Sequence, residues 1–251
     1  MPQASRGRLS RSNARTLDLP PAFRLVTLRE VGNAVAHARA HADELGAGTL
    51  VFVGRFDLAE FAVVLEPNEP LAVARLALYA GMVALGNALA ALAPPEKPIT
   101  FGWPDAVYID RGLVGGGRLA WPSRTDEHAV PEWLIFGAAI RTVSLSGDAG
   151  LHPLATALED EGFGDAGSER LVEGFARHLM VEIDRWQERG AAPIVQDYQS
   201  RLEPEHGVRR EIDDNGDLQI WRSDKSVERR NLRLSLSAPS WLDPNTGGPR
   251  L

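Results

Sequence analysis

The stretch from residue 71 to residue 92 limits the fold most tightly, because it is apolar on every side. Leu78, Met82, Leu85, Leu89 and Leu92 recur at helical spacing, and alanine fills most of the positions between them. A helix of that kind has no polar face and needs cover all round, from protein or from lipid. Arg75, Gly81, Gly86 and Asn87 interrupt it, whereas a membrane span wants about 20 strongly apolar residues. A core helix opened by Asn68 and Pro70 is therefore expected, and no membrane span.

The flanking segments must supply the cover. Residues 28–45 read as one helix, with Leu28, Val31, Val35, Ala38, Ala42 and Leu45 on a single stripe and Gly46-Ala47-Gly48 as its stop. Strands are expected at 49–53 and 60–65. From residue 99 to 145 the pattern is β throughout, in short runs at 99–101, 106–109, 118–121, 132–136 and 139–145 set off by Gly and Pro. A third helix should span Ser168 to Arg189. Ser168 is its cap, Val172, Phe175, Leu179, Ile183 and Trp186 its buried face, and Gly190 its stop. A hairpin around Asp214-Asn215-Gly216 follows within 205–222.

These runs divide the chain into a disordered Arg- and Ser-rich tail at 1–24, a main domain at 25–203 and a small C-terminal β domain at 204–251. The tail lacks the apolar run of a secretory signal. The formal charge of −7 is uneven. Residues 1–24 hold five arginines against one acid, residues 25–200 hold 13 bases against 24 acids, and residues 201–251 hold nine of each. An acidic body is a poor nucleic-acid surface, so no nucleic-acid partner is expected. There is no cysteine, which closes disulfides, thiolate metal sites and thioester chemistry and fits a cytoplasmic location. Only Lys97 and Lys225 are lysines, so lysine-dependent chemistry has two candidates. His37 and His41 stand four apart on a helix, the spacing of a metal pair or of two exposed histidines, with no third ligand in sight.

The informative stretch is Phe101-Gly102-Trp103-Pro104-Asp105-Ala106, followed by Leu113-Val114-Gly115-Gly116-Gly117-Arg118-Leu119. The glycines alone would suit a tight turn. In order, the two pieces resemble the Lys-Trp-Pro-Asn-Asp strand and the Lys-Val-Gly-Gly hairpin of the biotin/lipoate protein ligase superfamily. Other segments fall in the same order. Asn33 stands at the head of the first helix, like the last residue of that family's Ser-Thr-Asn. The stretch ending Leu65-Glu66-Pro67 is similar to the family's Leu-Arg-Pro, and the one ending Ala139-Ile140-Arg141 to its Gly-Ile-Gly-Ile-Asn. Thr156-Ala157-Leu158-Glu159 resembles its Thr-Ser-Leu segment. The ending Pro239-Ser240-Trp241-Leu242-Asp243-Pro244 is similar to that of a bacterial branch of the superfamily.

The resemblance covers roughly residues 25–222 and implies an α+β fold. This is the class II synthetase-like mixed sheet flanked by helices, with a small C-terminal β appendage. It implies a ligase that couples biotin or lipoate to ATP, with magnesium, as an acyl-adenylate and passes the acid to a lysine of an acceptor domain. Homodimers are common in the family. Asn33, Arg55, Trp103, Asp105, Gly115, Gly116, Gly117, Arg118 and Arg141 become the ligand-binding candidates. The sequence also departs from the pattern. The two motif lysines are replaced by Gly102 and Leu113, and the arginine-rich adenylate loop is reduced to Gly54-Arg55. A cation fixed at the developing phosphate charge contributes on the order of 3 kcal/mol to such a reaction. Arginine can take a lysine's place at a phosphate, so Arg55, Arg118 and Arg141 are the candidates to supply it. The alternative is a non-catalytic module on the same fold that holds a small acid or an acceptor domain without activating it.

Overall fold

The computed structural model describes residues 17–30, 32–144, 154–164 and 167–251. In chain order the elements are β1 (Arg24–Leu28), α1 (Ala34–Ala40), α2 (Ala42–Leu45), β2 (Thr49–Gly54), β3 (Leu58–Leu65), α3 (Leu71–Ala74), α4 (Ala77–Leu92), β4 (Ile99–Gly102), β5 (Ala106–Ile109), β6 (Gly112–Ala120) and β7 (Leu134–Arg141). After these come α5 (Ser168–Arg189), α6 (Ala192–Ser200), β8 (Val208–Ile212), β9 (Leu218–Arg222), β10 (Val227–Arg230) and α7 (Leu232–Leu236). Seven strands make one mixed sheet in the order β1-β2-β3-β7-β6-β5-β4, parallel only between β1 and β2, and β10-β9-β8 form a second, antiparallel sheet. This is the expected α+β architecture of a mixed sheet flanked by helices with a small C-terminal sheet.

Each strand of the main sheet sends alternate side chains to opposite faces. One face packs on α4 and α5, where Leu78, Met82 and Leu85 meet Phe61, Phe136 and Phe175 in the largest cluster of the core. The Phe61 and Phe175 rings lie 4.6 Å apart, and Phe136 stacks on Phe175 at 5.5 Å. Most of the apolar stretch Leu71–Leu92 is buried here, 78% of its most apolar 18-residue window, so its bare surface is satisfied inside the protein. The other face is covered in two pieces. α1 lies over β2, β3 and β7 through Ala34, Val35 and Ala38, with Ala42 of α2 beside it, and residues from the C-terminal end of the chain cover the remainder.

Several expectations change. Residues 28–45 are not one helix: Leu28 ends β1, which pairs with β2, and α1 begins only after Asn33. Leu28 and Val26 both pack on the α1 cluster, so a strand alternation imitated a helical stripe. Val31, the other early member of that stripe, lies outside the described residues. Pro70, not Asn68, stands at the head of the apolar helix, which steps from α3 to α4 near Arg75. The expected strands at 132–136 and 139–145 are joined in β7, and Leu145 is outside the described residues. α5 begins and ends as expected, but Gly167 occupies the cap position. Ser168 instead donates its hydroxyl to the Arg55 carbonyl. The triple glycine is no turn: it lies inside β6, and the β5–β6 turn falls at Asp110 and Arg111, with φ of 48° and 71°. The last residues of the stretch 204–251 pack onto the main sheet.

Candidate functional site

The second face of the sheet has a polar seam between its two covers. β3 places Leu58, Glu60 and Ala62 on this face, and Glu60 is only 5% exposed. Its Oε1 accepts from the Ala34 N–H at 2.9 Å, at the start of α1. Asn33 Oδ1 caps the same helix through the Ala36 N–H at 2.8 Å and accepts from Arg118 Nη2 at 3.2 Å. Burial raises the Glu60 pKa, against the Ala34 hydrogen bond and the nearby Arg118 charge. Burial likewise lowers that of Arg118, against the pull of Glu60. The three groups hold one another at the seam.

Beyond the seam the sheet is built from small residues. Gly115 has φ of +149°, and a Cβ there would stand 1.9 Å from the Ala139 carbonyl oxygen. On Gly116 a Cβ would stand 2.1 Å from the Asp105 carbonyl oxygen and 2.5 Å from Trp241 Nε1. Glycine is therefore required at both positions. Gly115 pairs with Val107 and Ile140 and so faces the α4 side. Gly116 makes a shallow floor with Ala106 and Ala139, and the Trp241 indole lies on it, 1% exposed. Its Nε1 donates to the Gly117 carbonyl at 3.0 Å. Gly117 shares that contact through its carbonyl only, since its Cα faces Met82 and Phe136 on the α4 side.

Arg55 and Arg141 line one cleft of about 320 Å³, together with Asp57, Leu58, Gly248 and Pro249. Both guanidinium groups are engaged. Arg55 grips Asp57 through two bonds of 3.0 and 2.6 Å, which raises the Arg55 pKa and lowers that of Asp57. Arg141 Nη2 donates to the Pro249 carbonyl at 2.8 Å, and burial lowers its pKa.

The tryptophan–proline segment and the glycine strand do touch, since Gly117 N–H donates to the Asp105 carbonyl at 2.8 Å. The Trp103 indole nevertheless turns the other way. It packs on the large core cluster and donates to the Tyr79 hydroxyl at 2.9 Å, so it is separated from Asn33, Gly116 and Arg118. The Asp105 side chain is fully buried with neither carboxylate oxygen hydrogen-bonded, and burial pushes its pKa up to about 7. The Lys97 ammonium is held by Asp110 and Glu161. His37 and His41 stack at 4.4 Å, and among the described residues no group of three or more His, Cys, Asp or Glu is placed to hold a metal.

Two residues of this site escaped the sequence reading. Glu60 had a signal, a lone charge in the apolar run Leu58–Leu65. Trp241 had a weaker one, a large aromatic in a Pro- and Gly-rich ending.

A mixed sheet with one helix-covered face and a glycine floor on the other, followed by a small antiparallel sheet, defines a ligase-type α+β fold. The Biotin/lipoate A/B protein ligase family model matches residues 19–200, and the chain belongs to that family. It resembles a biotin protein ligase-like protein of unknown function from Silicibacter sp. TM1040, at 29% identity and a TM-score of 0.75 over 87% of this chain and 98% of that one. It shares its fold with biotin protein ligase from Aquifex aeolicus, at 16% identity and a TM-score of 0.66 over 83% and 95% of the two chains. The Aquifex ligase in complex with biotin and ATP aligns at 14% identity with a TM-score of 0.64, over 82% and 94%. No curated protein matches the sequence.

Proposed function

We propose that this protein is a binding member of the ligase family, one that holds a biotin- or lipoate-like carboxylic acid on the glycine floor without adenylating it. The acid's body would rest on Ala106, Gly116 and Ala139, beside Asn33 and Arg118, with its carboxylate toward Arg141. One observation carries the reading: among the described residues, each of the three candidate arginines already has a partner in the protein. Arg55 is bound to Asp57, Arg118 to Asn33 and Arg141 to Pro249, while Gly102 and Leu113 stand at the family's lysine positions. A triphosphate needs free, converging cations. The residues present fit an acid better than they fit ATP with magnesium.

Isothermal calorimetry with biotin, lipoate and octanoate, paired with ATP–pyrophosphate exchange, tests this reading. Binding of one acid with no acid-dependent exchange is the expected result. Acid-dependent exchange would establish a ligase instead.

The ligase reading has one observation in its favour, the placing of Arg55 and Arg141 on a common cleft. In that reading the acid's carboxylate oxygen attacks the α-phosphorus of ATP and pyrophosphate leaves. An acceptor-domain lysine then attacks the acyl carbon and AMP leaves. The two arginines would have to exchange Asp57 and Pro249 for phosphate oxygens.

A further inference from the structure

The glycine floor already holds a flat ring, and that ring belongs to the chain itself. The Trp241 indole lies on Gly116 among Leu58, Ala106 and Ala139, with its N–H on the Gly117 carbonyl. The backbone around it forms a loop closed by its own hydrogen bonds. Arg250 N–H donates to the Trp241 carbonyl at 2.8 Å, Asp243 N–H to the Gly248 carbonyl at 2.9 Å, and Gly247 N–H to the Asp243 carbonyl at 2.8 Å. Among the described residues, two side chains make the loop's hydrogen bonds to the sheet: Trp241 to Gly117, and Arg141 to the Pro249 and Arg250 carbonyls at 2.8 and 3.4 Å.

We infer that residues 239–251 are an internal occupant of the acid-binding face, a strap that leaves as a unit when ligand enters. The bonds inside the loop survive its release, so departure breaks only the Trp241 and Arg141 hydrogen bonds to the sheet and the packing of Trp241 and Leu242 on it. What release exposes describes the ligand that replaces the strap. The floor is shallow and apolar and fits a flat ring. The Gly117 carbonyl asks for an N–H donor on that ring, and the freed Arg141 guanidinium asks for an anion. The class is a heterocyclic carboxylic acid that presents a planar ring face with an N–H on it. Biotin presents its planar ureido ring, with its N–H groups, on a bent bicycle, and lipoate lacks the N–H. The inference rests on the acid-binding reading of this face and adds to it both a gate and a preference.

Hydrogen–deuterium exchange by mass spectrometry on the full chain, with and without saturating biotin, reads the strap directly. Biotin is expected to speed exchange across residues 239–251 and to slow it at 115–117. Calorimetry on Trp241→Ala is expected to give biotin binding at least about tenfold tighter than in the wild type. A site closed most of the time loses affinity in proportion to its open fraction. Indole serves as the probe of a folded, vacated floor, and should bind Trp241→Ala but not the wild type. Equal biotin affinity in both chains, with residues 239–251 still protected, overturns the strap and leaves the acid site standing. Indole entering Trp241→Ala while biotin and lipoate bind neither chain overturns the acid-binding reading and this inference with it. If Trp241→Ala does not fold, the wild-type exchange experiment decides alone, and no speeding of residues 239–251 under saturating biotin rejects the strap.

Discussion

The two covers of the same sheet face are held in opposite ways. Over β2, β3 and β7 the cover is regular: α1 seats Ala34, Val35 and Ala38 on Val51, Val53, Ala62, Val64 and Ile135, with Ala42 of α2 in the same cluster. α1 is tied down at its first turn by Asn33 and Glu60. Over β5, β6 and the end of β7 the cover is an irregular loop seated by one indole on glycine and alanine. Large β-branched side chains fill their half of the face and meet a matching helix. Small residues leave a floor on which one indole rests. Alternate side chains of one sheet thus give a helix-covered interface at one end and a loop-covered one at the other.

Charge and pH give the largest lever on the loop-covered half. Asp105, whose carbonyl accepts from the Gly117 N–H there, has a buried carboxylate without hydrogen-bond partners, with its pKa up to about 7 from an ordinary value of 3.8. The folded protein therefore holds this proton more tightly than the unfolded chain does. The stability from that proton is complete below about pH 4 and is lost as pH rises through about 7. Asp105→Asn removes the dependence. It should be more stable than the wild type at pH 8, by up to roughly 4 kcal/mol, and equal to it near pH 4. Urea melts at the two pH values measure this, and parallel curves would mean that Asp105 is solvated or paired.

On the helix-covered half, Gly137→Ala would set a methyl 2.1 Å from Val35 Cγ2. Overpacking of this kind costs about 2–3 kcal/mol. The loss should appear as faster amide exchange in α1, with residues 239–251 unchanged; loosening of both would show that the covers are one unit. Glu60→Ala leaves the Ala34 N–H without its acceptor and should cost about 1–2 kcal/mol in a urea melt. Glu60→Gln, which keeps an acceptor, should recover most of it. The smallest effect belongs to Asn33→Ala, at about 1 kcal/mol for a lost helix cap. Asn33→Ser should restore the cap but not the bond to Arg118, which separates the structural part of Asn33 from any part in ligand affinity measured by calorimetry.

Elements set by neighbouring residues were legible in the sequence. α5 is one example: its long apolar period and the stop at Gly190 are local, and it spans Ser168–Arg189 as expected. The hairpin through Asp214-Asn215-Gly216 is another. Elements set by distant partners were not. Leu28 became strand because β1 pairs with Thr49–Gly54, and the glycine triplet became strand because β5 and β7 flank it. The site divides in the same way. Asn33, Gly116 and Arg118 meet on one face, while the Trp103 ring goes to the other because its indole N–H finds Tyr79 on α4.

The order of motifs along the chain, the lack of cysteine and the missing motif lysines were determined by the sequence alone, and they are enough to place the family and to question its chemistry. Tertiary structure alone decided where the last residues of the chain lie. Trp241 and Gly117 are 124 positions apart, and no local preference links them. Their meeting depends on how much room glycines and alanines from three strands leave above the sheet, a property of the assembled surface rather than of any one segment.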